Sequence, residues 1–336
     1  MGRYRDIYFD VNYGKLYENL PSDEFCSFEF ENKFGKISNN FIKRKIATKI
    51  DGKDFYDIVT PYGYGGPIIT SIINDQNKKD LIEEYSENFR NYCSSNNIVS
   101  EFVRFHPILI SAHDFNSIYD VTLDRKTFGT NLLLDNPFLE EFSKSSRKKI
   151  KKILRDHNIT YSFDEHPTTL NDFKEIYYST MNRKNASDEY YFKDEYFDKM
   201  LRLFPNNLIT VRIYLDEIVI GMGLYFRYNK FLHTHLSGTL SEYIKYSPAY
   251  ILKYALVEYG VKNGYSLIHY GGGKTKQEDD SLKEFKERFG QKTQFNFYTG
   301  KKIWNTNVYQ TLCEINNTSK SENYFPAYRS NEEKKL

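Results

Sequence analysis

A chain of 336 residues, 40% hydrophobic and 17% aromatic, is long and apolar enough to hold two domains with cores of their own. Its 27% charged residues nearly balance at a net charge of +2, which excludes a dominant electrostatic footprint for nucleic acid and leaves room only for local basic patches. Three cysteines, Cys26, Cys93 and Cys313, lie far apart without a C-x-x-C pair, so neither a zinc site nor a disulfide framework is indicated.

The opening residues, Met1-Gly2-Arg3-Tyr4-Arg5-Asp6, are polar and no apolar h-region follows, so no signal peptide is expected. No run reaches the roughly 18 apolar residues that span a bilayer. The expectation is a soluble, cytoplasmic protein. Residues 13–35 read as a helix of mixed quality and 41–49 as a strand. Residues 57–67 (DIVTPYGYGGP) set two prolines and three glycines around Tyr62 and Tyr64 in a sharp, irregular loop. Tyrosines there can stack on a ligand or pack on the core beneath a tight turn. Residues 80–96 place Leu81, Ile82, Tyr85, Phe89 and Tyr92 on one face of an amphipathic helix. Residues 98–110 read as a strand interrupted by Pro107, with Arg104 and His106 on one face. His106 is either a base or anion ligand, or a satisfied structural histidine. A short strand over 117–123 follows.

Residues 138–158 form the one concentrated basic segment. Ser143 or Ser145 can cap a helix that carries Arg147, Lys148, Lys149, Lys151, Lys152 and Arg155, with Ile150, Ile153 and Leu154 as its apolar stripe. Such a face meets phosphates, on a nucleotide-sugar, a lipid diphosphate or tRNA, or is simply solvated. It also reads as the seam between two domains. Beyond it come a strand (159–164), helices (170–183 and 194–204), a meander (208–215, 217–228 and 231–237) and a helix (248–260) with Pro248 at its start. A short buried strand, 265–270, then runs into Gly271, Gly272 and Gly273, the densest glycine cluster in the chain. Asp279 or Asp280 can cap a helix in which Leu282, Phe285, Lys286 and Phe289 recur at i, i+3, i+4 and i+7, and Gly290 can close it. Lys286 thus falls on or beside the apolar face. The element order predicts an α/β (α+β) chain with a mixed, mostly antiparallel sheet.

Three stretches taken together, YGGG-x6-DSLKEFKERFG, SRKKIKKILRDHNI and SPAYILKYALVEYGVKNGY, resemble the FemAB/FemX group of transferases within the GNAT (acyl-CoA N-acyltransferase) superfamily. The early TPYGYGGP loop and FVRFHP strand look more like the FemAB-type GNAT proteins of bacterial surface-polysaccharide clusters. The resemblance implies two tandem GNAT-like domains: residues 1–145 on the acceptor side, which 305–336 can complete, and 146–304 on the catalytic, donor side. It implies an N-acyltransferase that forms an amide on an amino group of a cell-envelope precursor, nucleotide-linked or lipid-linked. No bound cofactor or metal is expected. The donor is acyl-CoA or, as the alternative, aminoacyl-tRNA for a peptidoglycan bridge. A catalytically silent binding module is the further alternative, and contact with a membrane surface stays open.

By the same resemblance Lys286 is the catalytic cation that stabilises an oxyanion, which is sound chemistry for a tetrahedral intermediate. Tyr62, Tyr64, Gly65, Gly66, Arg104 and His106 would line the acceptor side. Arg147, Tyr270, Gly271, Gly272, Gly273 and Asp280 would meet substrate in the second domain. Two departures matter. The arginine that FemX-like enzymes direct at a UDP-linked substrate has no match around residues 190–196. The Q/R-x-x-G-x-G/A loop of ordinary GNAT enzymes is absent from residues 243–251 (YIKYSPAYI).

Overall fold

The computed structural model describes residues 6–277, 279–318 and 324–333. Its strands, in chain order, are β1 (Asp23–Asn32), β2 (Gly35–Lys45), β3 (Tyr56–Val59), β4 (Ile68–Ile72), β5 (Ile98–Arg104), β6 (Asp120–Asn131), β7 (Ile159–Asp164), β8 (Leu208–Leu215), β9 (Ile218–Tyr228), β10 (Phe231–Thr239), β11 (Leu267–Gly272) and β12 (Gln294–Ile303). The chain divides into two compact units, Met1–Asp124 with Asn296–Leu336, and Arg125–Phe295. The divide therefore runs within β6 and β12, not at the basic segment.

In the first unit β1 and β2 form a long antiparallel hairpin in register from Asp23↔Arg44 to Asn32↔Gly35. The strand β2 also pairs with β3 and β4, β3 runs parallel to β5, and β12 returns antiparallel to β5. The expected helix over 13–35 is a correction: the helix Val11–Leu16 ends early in that stretch, and β1 takes Asp23–Asn32. The reason is periodicity. Cys26, Phe28 and Phe30 alternate with Ser27, Glu29 and Glu31, and this period of two puts the apolar set on the core face. The helix Lys78–Ser95 packs Leu81, Ile82, Tyr85, Phe89 and Cys93 onto that core. Residues near the end of the chain belong here as well: Tyr328 bonds Ser100 Oγ at 2.8 Å, and Arg329 pairs with the buried Asp57 at 2.5 Å.

In the second unit β7 to β10 form a continuous antiparallel meander. The strand β11 runs parallel to β10 and antiparallel to β6. The basic segment holds the expected helix, Lys144–Asp156, preceded by a short one, Pro137–Glu141. Phe142 is extended between them (ψ 138), and Ser143 caps the second by accepting the Ser146 N–H. The helix Pro248–Lys262 buries Ile251, Leu252, Ala255, Leu256, Val257 and Tyr259 in the core. The sheet is thus mixed and mostly antiparallel, with helices packed against it. No helix among the described residues is long and apolar enough to cross a membrane.

Candidate functional site

The glycine cluster closes β11 and does not lie wholly beyond it. The strand bulges against β6 between His269 and Gly271, and Gly271 takes φ 74, a left-handed conformation that disfavours any side chain. The bulge re-aims the chain into a turn that three groups hold. Lys286 Nζ donates to the Gly272 carbonyl at 2.6 Å. Arg125 Nη1 donates to the Gly273 carbonyl at 3.0 Å. Asp280 caps the helix Ser281–Glu287 through the N–H groups of Leu282 (2.8 Å) and Lys283 (3.0 Å), and its other oxygen takes the Thr275 N–H at 2.7 Å. A Cβ on residue 273 would stand 2.6 Å from Asp280 Oδ2 and 2.9 Å from Lys283 Cβ, so glycine there is a packing requirement.

Electrostatics follow from this geometry. Burial pushes Lys286 down to about 8; Asp280 opposes that shift and Arg125 adds to it. Burial works against the Asp280 charge, but the amides of Thr275, Lys283, Leu282 and Lys274 outweigh it and hold the carboxyl at about 2. The result is an ammonium anchored on one carbonyl, with donor capacity to spare. Tyr270 is buried beneath the turn, its hydroxyl on Thr130 Oγ1 at 2.5 Å. Its expected contact with substrate is not what the side chain does, since the ring packs on Phe289 and the hydroxyl is spent inside the core.

Beside the turn, β10 and β11 share only the positions Phe231↔Leu267, Leu232↔Ile268 and His233↔His269. Past them β10 bulges at His235 and runs on to Thr239 along β9. His235 accepts or donates to Tyr196 at 2.7 Å, and burial lowers its pKa to about 3, so the ring is neutral. The chain then reaches the helix Pro248–Lys262 through Ser247, which is left-handed (φ 49) and makes no side-chain cap. Arg147, expected to face phosphate, instead donates to the carbonyls of Leu139 and Phe142 and ties the two basic-segment helices together. Lys144, Lys148, Lys149, Lys151 and Lys152 are exposed, with Lys149 Nζ 4.4 Å from the Tyr250 ring centroid.

In the first unit the predicted residues part company. Tyr62 is 50% exposed, whereas Tyr64 lies in the core, edge-on to Tyr8, His106 and Phe297. His106 is buried as well. Its Nδ1 accepts the Leu109 N–H at 3.2 Å, which leaves Nε2 to donate to the buried Asp6 at 3.0 Å. Tyr64 and His106 are therefore core residues, because the loop folds back onto β5: Gly65 N–H bonds the Arg104 carbonyl at 2.8 Å, and Gly66 packs where a Cβ would stand 2.4 Å from Val103. Arg104 braces the loop by donating to the carbonyls of Thr60 (2.7 Å) and Pro61 (3.0 Å). Burial lowers its pKa, with Arg44 adding to the effect, and among the described residues its buried Nε has no hydrogen-bond partner. Tyr13 and Tyr17 stand with Tyr62, the Tyr13 hydroxyl on the Tyr62 carbonyl at 2.9 Å.

The sequence did not single out Arg125, His235, Tyr196 or Lys253. Lys253 carried a usable signal: it is a cation in the middle of an otherwise apolar stretch, residues 248–257. Among the described residues no cluster of His, Cys, Asp or Glu could hold a metal ion.

Residues 140–287 match the family model described as an acetyltransferase (GNAT) domain. No curated protein matches the sequence. Among solved structures, FemX superposes with a TM-score of 0.69 at 11% identity, covering 92% of this chain and 95% of that one. L-PGS from Bacillus licheniformis gives 0.53 at 12%, covering 87% of each chain. The C-terminal domain of a candidate lysylphosphatidylglycerol synthetase from Agrobacterium fabrum gives 0.52 at 12%, covering 85% of each. At these identities the likeness is one of fold.

Proposed function

We propose that this FemX-like transferase, an acyltransferase by its GNAT domain, forms an amide on an amino group of a cell-envelope precursor, with acyl-CoA as donor. The observation that carries the reading is the Lys286 ammonium, fixed on the Gly272 carbonyl beside a turn with no side chains. As the acceptor nitrogen attacks, the carbonyl oxygen gains negative charge, and a preorganised cation in a half-buried site lowers that barrier. The glycines allow a substrate backbone to approach, while Arg125 and Asp280 keep the turn and its helix in place. The acceptor we take to be a surface-polysaccharide precursor.

A second reading, aminoacyl transfer from tRNA to a peptidoglycan precursor, is favoured by one observation in particular. The exposed lysines of the helix Lys144–Asp156 offer a phosphate-binding face, and Arg147 supports it from within. The test is mass spectrometry of nucleotide-linked and lipid-linked precursors after incubation with acetyl-CoA or with charged tRNA. An acyl mass increment that disappears in Lys286→Ala supports the first reading. An aminoacyl increment supports the second, and neither increment with either donor overturns both.

A further inference from the structure

Lys253 is a buried lysine that the proposed chemistry has not yet used. It sits in the second turn of the helix Pro248–Lys262, on its core side, with 9% of its area exposed. Its Nζ lies 4.3 Å from the centroid of the Tyr270 ring. Among the described residues it has no hydrogen-bond acceptor and no carboxylate partner. Buried lysines are rare without one, because the ammonium loses its hydration and gains little from a ring face alone. Tyr270 stands two residues before Gly272, whose carbonyl holds Lys286. Two lysines therefore converge on one short stretch of β11 from two different helices.

The groups around Lys253 on each packed element explain its state. Lys286 faces it from the helix Ser281–Glu287, Tyr270 from β11, and Tyr225 lies in the same core on β9. The nearby carboxylates are committed elsewhere: Asp280 to backbone amides, and Glu141 to the N–H groups of Asn131 and Lys292. Burial and then the Lys286 charge lower the Lys253 pKa to about 7, below that of Lys286. Near neutral pH Lys286 is thus mostly charged, while Lys253 is divided about equally between ammonium and amine.

We propose that Lys253 is the proton acceptor for the attacking amine, acting beside the oxyanion-stabilising Lys286. The assignment rests on the amide-forming reading above. The acceptor nitrogen forms its bond to the carbonyl carbon and sheds a proton to Lys253 Nζ. The bond from that carbon to the donor's sulfur or ribose oxygen then breaks. Lys253 returns the proton to the departing atom, so the lysine ends the cycle as it began and no outside reagent is needed.

The experiment compares Lys253→Met and Lys253→Arg with the wild type, using acetyl-CoA or charged tRNA and an amine-bearing envelope precursor that the wild type modifies. Both variants should lose about 100-fold or more in kcat/KM, and the limb of the wild-type pH profile that rises near pH 7 should vanish. Arginine keeps charge and bulk but cannot release a proton at these pH values. Activity retained in Lys253→Arg would therefore reduce Lys253 to a packing or electrostatic role and overturn the assignment alone. Thermal unfolding of both variants separates loss of chemistry from loss of fold. A second readout needs no turnover: a carbon-13 titration of the lysine side chains, with Lys253→Arg identifying the resonance, should show a midpoint near 7. A midpoint above 9 would overturn the proposal. A wild type that transfers no acyl group to any amine overturns the amide-forming reading and the Lys253 role with it.

Discussion

Lys286 and Lys253 show what burial does to one residue type in two settings. Lys286 is anchored on a carbonyl and has Asp280 nearby, so it keeps its proton up to about pH 8. In the role proposed for Lys286 the charged form is the useful one, so turnover should fall as pH rises through that value. Lys286→Arg should abolish the falling limb, since arginine stays charged, and Lys286→Ala should cost about 10²–10³ in kcat. Lys253 makes a separate prediction about stability. Its folded pKa, about 7, lies below the ordinary 10.5, so between these values the unfolded chain binds more protons and stability rises with pH. The cost of the buried charge is complete below pH 7 and gone above about 10.5. Lys253→Met should therefore be more stable than the wild type at pH 6, by up to about 5 kcal/mol, and the gap should close toward pH 10. Urea unfolding at several pH values reads this directly. A destabilised Lys253→Met at every pH would mean that the methylenes and the ring contact outweigh the charge.

At the scale of elements, the turn after β11 depends on its bulge and its cap. Gly271→Ala forces a side chain into φ 74 and should cost roughly 1–2 kcal/mol. Asp280→Ala removes the acceptor for the N–H groups of Leu282, Lys283 and Thr275, a loss of about 1–2 kcal/mol in helix capping. It should also release the helix that carries Lys286, so kcat should fall further than stability alone explains. Chemical denaturation and steady-state kinetics on the same preparations check both. These elements were partly legible. The glycine run, the Asp280 cap and the position of Lys286 on its helix face all follow from local chemistry. The helix expected over 13–35 did not, because the alternation from Asp23 onward belongs to β1 and only the residues up to Leu16 are helical.

For the molecule as a whole, the first unit is discontinuous in sequence and needs its C-terminal portion. Trp304 Nε1 donates to the buried Glu101 at 3.1 Å, and Arg329 neutralises Asp57. A chain ended after residue 295 leaves both carboxylates short of partners and should lose the cooperative unfolding of that unit, as followed by circular dichroism and limited proteolysis. The donor is decided at this scale too. Micromolar binding of acetyl-CoA by calorimetry, weakened by changes at Ser247 or Tyr250, supports acyl-CoA. Steeply salt-dependent binding of charged tRNA, weakened when the exposed lysines of the helix Lys144–Asp156 are replaced, supports the aminoacyl route.

What the sequence by itself determined was local: the mixed α/β character, the amphipathic helix that became Lys78–Ser95, the meander, and the strand, glycine turn and capped helix that present Lys286. Each rests on spacing within a dozen residues, where periodicity, capping and glycine conformation act. Only the tertiary structure decided which candidate side chains are free to meet a ligand. Tyr64 and His106 share a motif with Tyr62 and Arg104, yet the folding of the loop onto β5 buries the first two and leaves Tyr62 half exposed. Arg147 sits in a run of cations but is consumed by the carbonyls of Leu139, in the preceding helix, and Phe142, in the linker. Lys253 became visible when Tyr270 and Lys286, distant in sequence, were brought against it. Desolvation and partner supply depend on what the rest of the chain packs around a group, and no local pattern of residues contains that information.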